Sequence, residues 1–144
     1  MQILVSVADA ADAAAAVDGG ADIIDAKDPS RGPLGPVSPT TLSAIVSTVA
    51  GRRPVSAALD SARLGPLRGL AFVKMTTPAQ IAGCSLVLAA YADAPNWRQV
   101  IDVAAVYGAT GVLLDTRNKS GPGLFRLLSD DMISEWVQEA HMMG

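Results

Sequence analysis

Three lysines and two aspartates stand where they could act together on a carbonyl group. The 144-residue chain contains only Lys27, Lys74 and Lys119, against eight arginines, and each follows or ends an apolar run. Asp25 and Asp115 end two of these runs. Arginine cannot replace lysine where a side chain must lose a proton and attack a carbonyl. A lysine held against apolar strands, or beside another cation, is a competent imine-forming nucleophile. The pattern predicts Schiff-base chemistry, with the two aspartates as proton-transfer partners.

The segment "DIIDAKDP" at residues 22–29 shows how two of these side chains could share a site. Asp25 and Lys27 are two residues apart, so in an extended strand they project to the same side, and Ile24 projects to the other. We expect the charged pair to face the interior of a barrel near its mouth, with Ile24 toward the helices. A salt bridge at a strand end, with two unrelated solvated lysines elsewhere, is the alternative interpretation.

Short apolar runs alternate with alanine-rich stretches along the chain. Strands are predicted at residues 2–7, 22–26, 54–59, 70–74, 86–91 and 111–115. Helices are predicted near residues 9–19, 39–50, 61–68, 77–83, 96–107 and 130–143, with starts at Ser38-Pro39 and Pro95-Asn96. Alternating strands and helices indicate βαβ units, hence an α/β fold with a parallel sheet. The carboxyl ends of its strands would share one rim, where active sites of such folds lie.

Composition excludes several classes of protein. Half of the residues are apolar but only 4% are aromatic, so the core must be aliphatic. A formal charge of −3 argues against nucleic acid and anionic membranes as partners. The single Cys84 allows no internal disulfide, and no metal-ligand spacing is present. No apolar run is long enough to cross a bilayer, and "MQILVSV" does not resemble a signal peptide. We expect one cytoplasmic domain spanning residues 1–144.

Several polar groups near the predicted rim have two interpretations. Arg31 and Arg117 could assist a phosphate, or they could be solvated rim charges. The glycines of "GPLG" (32–35) and "SGPG" (120–123) could offer backbone N–H groups to a phosphate, although simple turns explain them as well. His141 is expected on the surface of the last helix.

Five segments together resemble a known family. They are "GGADIIDAKDPSRGPLG", "PVSAAL", "FVK", "AAYADA" and "LLDTRNKSGPGLF", in this order. The family is the (5-formylfuran-3-yl)methyl phosphate synthases of methanofuran-type cofactor biosynthesis, which have relatives in bacteria that oxidise one-carbon compounds. The resemblance runs from the first strand to the last helix.

The resemblance implies a specific enzyme. Members of this family are (β/α)8 barrels that use lysine Schiff-base chemistry without a metal or other cofactor. They condense two molecules of glyceraldehyde 3-phosphate to a furan aldehyde phosphate, with loss of one phosphate and water, as a lyase. Lys27 matches the imine-forming lysine, Lys74 and Lys119 match two further active-site lysines, and Asp25 and Asp115 match the acid/base carboxylates.

The chain also departs from the pattern of the family. After Lys74 it reads "MTTPAQ", where the family has a glycine-containing continuation. Six βα units fit the chain, whereas a full barrel takes about 250 residues. We therefore expect a partial barrel without strands seven and eight, whose open edges favour a homo-oligomer. The alternatives are an inactive remnant or assembly partner of such a barrel, and another class I aldolase-like phosphosugar enzyme.

Overall fold

Short aliphatic runs form the strands of the protein, and longer alanine-, serine- and threonine-containing stretches form its helices. The computed structural model describes residues 1–59 and 67–143. Within these residues the strands are β1 (Leu4–Val7), β2 (Ile23–Ala26), β3 (Val55–Ala58), β4 (Phe72–Met75), β5 (Ser85–Tyr91) and β6 (Gly111–Asp115). The helices are α1 (Ala10–Asp18), α2 (Pro39–Val49), α3 (Val100–Tyr107), α4 (Leu124–Leu127) and α5 (Asp130–Met142). Two 3₁₀ turns occupy Pro29–Arg31 and Trp97–Gln99.

In this part of the chain the strands form one parallel sheet whose spatial order follows the chain, β1 to β6. The sheet curls into a half-barrel, which confirms the expected α/β class. Because every strand runs in the same direction, all the carboxyl ends lie along one edge. The residues that follow the strands therefore meet at that edge, as the sequence pattern predicts.

Every second strand residue projects toward the helices, and these residues form the core between the sheet and the helices. The core residues are Val7, Ile24, Ala26, Val55, Ala57, Val73, Met75, Leu86 and Leu88 from the strands, and Ala13, Val17, Leu42, Ile45, Val49 and Ala104 from the helices. All are aliphatic or methionine, as expected from the low aromatic content. Ile24 is fully buried on this helix-covered side, in agreement with the prediction. Burial of such a side chain stabilises the fold by about 1.5–3 kcal/mol.

The intervening strand residues project from the opposite face of the sheet and carry its polar groups. Ser6 pairs in register with Asp25, and Asp25 pairs with Ser56. Ser56 pairs in register with Phe72, and Lys74 lies two residues after Phe72, so Lys74 projects from the same face. Tyr91 and Asp115 are register partners farther along this face. A one-residue slip would move every one of these groups into the apolar core.

Local capping explains where helix α2 begins. The Ser38 hydroxyl accepts a hydrogen bond from the backbone N–H of Thr41 at 3.0 Å, and Pro39 occupies the first helical position. The predicted start at Ser38-Pro39 is thus confirmed. The predicted helix at 96–107 is a 3₁₀ turn, Trp97–Gln99, continued by α3. Among the described residues, no helix combines the length and the apolar character needed to cross a membrane.

The connection from β4 to β5 differs from its prediction. Residues 77–83 contain no helix, so the predicted helix there is wrong. Ala79, Ile81 and Cys84 instead pack directly against the core from an irregular segment. A seven-residue stretch is too short to be a stable helix without strong support, and Gly83 adopts a φ of 86°. The helix predicted at 61–68 falls mostly on residues 60–66, outside the described residues, and the short helix α4 was not predicted.

Candidate functional site

The Asp25 carboxylate is the centre of a buried polar cluster formed by four adjacent strands. Asp25 is 1% exposed, on β2. Ser56 on β3 donates a hydrogen bond to its Oδ1 at 2.6 Å, and Ser6 on β1 donates to its Oδ2 at 3.1 Å. The Nζ of Lys74 on β4 lies 2.5 Å from the same Oδ2. Each donor comes from a different strand, so the sheet register itself builds this site.

The ion pair between Asp25 and Lys74 is shielded from water. Lys74 is 8% exposed, and a charge taken out of water costs several kcal/mol unless it is paired and hydrogen-bonded. The two serine hydroxyls and the ammonium satisfy the carboxylate, which makes the arrangement tenable. A protein that required only a covered sheet would place apolar side chains here. The buried ion pair therefore makes this cluster the candidate functional site.

Lys27 lies at the same level as Lys74 along the strands. Ala26 pairs with Ala57, so Lys27 falls level with Ala58, which is the register partner of Lys74. Two strand spacings, about 10 Å, therefore separate the backbones of the two lysines, with only a methyl group between them. The Lys27 backbone N–H donates to Val7 O at 3.0 Å, which continues the β1–β2 ladder. Lys27 forms no salt bridge with any residue in the described part of the chain.

Asp115 and Lys119 form a second ion pair at the end of β6. The Lys119 ammonium contacts Asp115 Oδ1 and lies 3.5 Å from the Thr116 hydroxyl. This pair is more exposed than the first, with the Lys119 side chain 51% accessible. The Thr116 backbone N–H also donates to Asp115 Oδ1 at 2.8 Å, so the loop itself orients the carboxylate.

Asp93 anchors the loop that carries this second pair. Its two carboxylate oxygens each accept a backbone N–H at 2.8 Å, from Arg117 and from Asn118. These two hydrogen bonds are the main reason that the pKa of Asp93 lies below its ordinary value, and the Arg117 charge lowers it further. Sequence reasoning did not assign Asp93 a role. The only signal was its place in "AAYADA", after a strand.

Tyr91 on β5 is the register partner of Asp115 and contacts Arg117. The guanidinium of Arg117 lies over its ring, 5.0 Å from the centroid. Burial raises the pKa of Tyr91, Arg117 partly offsets this, and the negative charges of Asp115 and Asp93 raise the pKa further. Tyr91 and Asp115 are register partners on β5 and β6, which explains why the Asp115 charge acts on the phenol.

A polar cavity of about 330 Å³ opens at the carboxyl edge, and we call it the rim cavity. Its lining residues come from the loops after β2, β3 and β4 and from the end of β5: Arg31, Pro33, Leu34, Pro36, Leu59, Thr76, Thr77 and Tyr91. Thr76 is two residues beyond Lys74, and Tyr91 neighbours Asp115. The five predicted site residues are not part of its described lining, so the rim cavity is related to the ion pairs through Thr76 and Tyr91.

The five predicted site residues are therefore arranged in two pairs and one single lysine. Asp25 contacts Lys74, and Asp115 contacts Lys119. Among the described residues no hydrogen bond or salt bridge joins the two pairs. Asp25 contacts the lysine 49 residues away, rather than Lys27 two residues away. Ser56 is a further member of the cluster that sequence reasoning missed, because an isolated serine in a strand carries no signal.

A larger cavity of about 530 Å³ lies away from these charges. It is enclosed by α3, the start of β6 and α5, with Trp136 and His141 on one wall. Its walls are mainly alanine, valine and isoleucine, and His141 is its one titratable side chain among the described residues. Catalysis needs convergent polar groups, so this cavity is the poorer candidate for the active site.

The fold of this chain is similar to that of a solved structure. It is the crystal structure of a Chromobacterium violaceum protein described provisionally as a spore coat polysaccharide biosynthesis protein E. The two superpose with a TM-score of 0.61 at 14% identity, over 99% of this chain and 49% of the other. The chain therefore spans about half of that protein, and the likeness concerns the fold alone.

Curated relatives match the whole chain. A Methylorubrum extorquens protein, named provisionally as a (5-formylfuran-3-yl)methyl phosphate synthase, is 35% identical over 99% of this chain and 69% of its own length. The (5-formylfuran-3-yl)methyl phosphate synthase of Methanococcus maripaludis strain S2 is 33% identical over 100% of this chain and 76% of its own length. The latter match extends over 181 positions, 37 more than the 144 residues of the chain. The relative therefore has residues inside the matched span that this chain lacks.

A sequence model of the 4-HFC-P synthase family matches in two segments, residues 3–77 and 66–144. The two segments overlap at residues 66–77, a range that includes β4. Because the two matches together cover nearly the entire sequence, the chain belongs to the 4-HFC-P synthase family.

Proposed function

We propose that the chain is a Schiff-base-forming synthase of the lyase class. It would condense two molecules of glyceraldehyde 3-phosphate to (5-formylfuran-3-yl)methyl phosphate, in methanofuran-type cofactor biosynthesis. The names of the relatives support the product, and the known chemistry of lysines supports the reaction type. The observation that carries the proposal is the buried Asp25–Lys74 pair with Lys27 at the same level of the sheet.

Lys27 is the proposed nucleophile. Its Nζ forms a C–N bond to the aldehyde carbon of one triose, and the carbonyl oxygen leaves as water. Lys74 and Lys119 are each held by a carboxylate, whereas Lys27 makes no ion pair with a described residue. An amine that no described carboxylate holds can approach a substrate carbonyl without first breaking an ion pair.

Asp25 and Asp115 are the proposed proton-transfer groups. The imine withdraws electrons, so the proton on the adjacent carbon passes to a carboxylate and the C–O bond to the phosphate breaks. Phosphate leaves with the electron pair, and the three-carbon unit that remains joins the second triose. Over the whole reaction one phosphate and two waters leave, so no oxidant or reductant is needed.

Lys74 and Lys119 would act through these carboxylates. Lys74 holds the buried Asp25 carboxylate in position, and Lys119 orients Asp115 at the mouth of the site. Both ammonium groups would also stabilise the negative charge that develops on oxygen as bonds break.

The scaffold is part of the proposal. Sequential parallel strands with helices on the outer face are typical of (β/α) barrels, so we propose a partial barrel of the TIM type as a single domain over residues 1–144. Self-association as a homo-oligomer remains a prediction, which the mass of the native protein in solution would test.

Trapping of the imine tests the proposed reaction. Incubation with glyceraldehyde 3-phosphate and borohydride should add one reduced triose to the peptide that contains Lys27, as measured by mass spectrometry. Lys27→Ala and Lys27→Arg should both abolish the adduct, because a guanidinium keeps the charge but forms no imine. Lys119→Arg, which keeps the cation beside Asp115, serves as the matched control and should still be trapped.

The outcomes separate the possible functions. A folded wild-type protein that gives no adduct would indicate an inactive remnant or an assembly partner. An adduct without a product that absorbs in the near ultraviolet would indicate another class I aldolase-like enzyme, since a furan aldehyde is conjugated and a simple aldol is not. Full trapping by Lys27→Arg would refute the assignment of the nucleophile.

A further inference from the structure

The described lining of the rim cavity contains one cation and several hydroxyls, without a carboxylate. Arg31 supplies the charge, and Thr76, Thr77 and Tyr91 supply hydroxyl groups. No acidic side chain belongs to its described lining. An environment of this kind favours an anion with several oxygens, and a planar guanidinium binds such a group with two parallel hydrogen bonds.

Backbone hydrogen bonds close the loop that carries Arg31. Asp28 N donates to Gly35 O at 2.8 Å, Gly35 N donates to Gly32 O at 3.1 Å, and Arg31 N donates to Asp28 O at 3.1 Å. A Cβ at Gly35 would come within 2.1 Å of Asp28 O, so the loop closes on itself only with glycine there. The position of Arg31 is therefore set by the backbone.

The Arg31 guanidinium is anchored to the loop by one of its three nitrogens. Its Nη1 donates to Pro36 O at 2.8 Å. Among the described residues its Nε and Nη2 have no hydrogen-bond partner, and these two nitrogens carry three N–H groups in the fork geometry that suits a phosphate. A guanidinium already anchored on one side loses less side-chain entropy when it binds a ligand.

The position of the rim cavity relates it to the lysines. Thr76 lies two residues beyond Lys74, and Leu59 follows directly after Ala58, the residue between Lys27 and Lys74. A group bound beside Arg31 would therefore lie on the carboxyl side of the buried cluster. The rest of a small molecule would extend from there toward Lys27.

We infer that the rim cavity is the subsite for the phosphate group of the triose that forms the imine, with Arg31 as its principal ligand and Thr76 and Thr77 as hydroxyl donors. The identity of the substrate rests on the proposed function, whereas the affinity for phosphate does not. The subsite orients the triose so that its aldehyde carbon faces Lys27.

Direct binding of inorganic phosphate is the first test. Isothermal titration of the folded wild-type chain should show phosphate binding, and Arg31→Met should weaken it about tenfold or more, because the charge-assisted bonds are lost. Arg53→Met is the matched control, since Arg53 precedes β3 at the opposite edge of the sheet. The phosphate affinity of this variant should equal that of the wild type. The absence of phosphate binding to the wild type, or equal affinity of Arg31→Met, would overturn the inference.

Trapping with two trioses is the second test. Arg31→Met should raise the half-saturating concentration of glyceraldehyde 3-phosphate about tenfold, while that of unphosphorylated glyceraldehyde stays unchanged. An equal shift for both trioses would refute the phosphate subsite and leave the imine intact. No adduct with either triose in the wild type would refute the proposed function, and the phosphate titration would still decide the subsite. If circular dichroism shows Arg31→Met to be unfolded, the Thr76→Val/Thr77→Val double variant takes its place in both tests.

Discussion

Removal of the Lys74 ammonium should destabilise the protein strongly. In Lys74→Met a side chain of similar length remains, but the Asp25 carboxylate, 1% exposed, loses the cation at 2.5 Å. Breaking one side of a buried ion pair costs about 3–5 kcal/mol. The hydroxyls of Ser6 and Ser56 still donate to the carboxylate, so we expect the lower end, about 3 kcal/mol.

Urea unfolding measures this loss, and Lys119→Met provides the matched control. Lys119 makes the same kind of ion pair in an exposed position, so its removal should cost only about 0–1 kcal/mol. With a urea slope of about 1–3 kcal/mol per molar, the unfolding midpoint of Lys74→Met should fall by about 1–3 M relative to the wild type. A domain with about 5–15 kcal/mol of stability would still fold without urea.

A double-mutant cycle separates the ion pair from loss of packing. In Asp25→Asn the buried negative charge is absent, so adding Lys74→Met should cost about 1–3 kcal/mol less than it does in the wild type. The reasoning is refuted if Lys74→Met and Lys119→Met lose the same stability, or if the cycle shows no coupling between Asp25 and Lys74.

Two further predictions concern the loops that hold the rim together. Gly35→Ala should destabilise the loop after β2 by about 1–3 kcal/mol, because the added Cβ would lie 2.1 Å from Asp28 O. Gly123→Ala is the control, since its Cβ would meet no atom within 4 Å, and it should be nearly neutral in the same urea experiment. Equal losses of stability in the two variants would contradict the steric argument. The pKa of Asp93 is lowered by folding, so its contribution to stability is present above the unfolded value near 3.8 and is lost as the pH falls through the lower folded value. The melting temperature of Asp93→Asn should therefore lie below that of the wild type at pH 6. This difference in melting temperature should shrink below pH 3.8. A difference that does not depend on pH would exclude the carboxylate charge as its cause.

Local patterns are sufficient for most of the secondary structure. Runs of β-branched and aliphatic residues predict all six strands, because buried parallel strands consist of little else. The start of α2 is readable because Ser38 and Pro39 act within one turn of chain. The helix at 77–83 was predicted wrongly, because its alanine and isoleucine fit a helix pattern equally well when they pack from an irregular loop. Periodicity cannot distinguish these cases over seven residues.

The sequence indicates which residues form the candidate site, but it does not indicate which lysine pairs with which aspartate. Strand alternation places Asp25 and Lys27 on one face, and the ends of parallel strands bring all three lysines to one edge. Which lysine meets Asp25 depends on the register of β2, β3 and β4, which is a property of the assembled sheet. The structure places Lys74 there, 49 residues away, and surrounds the carboxylate with serines from the two adjacent strands.

The sequence determines the chemistry that is available to this protein, namely few lysines, two carboxylates at strand ends and an aliphatic scaffold with its polar residues on one face. Its motifs also carry enough information to indicate the family. The tertiary structure determines which charges are shielded from water and which remain accessible. Both burial and pairing depend on residues far apart in the chain, such as Ser6, Asp25 and Lys74, that meet only when neighbouring strands take up their register.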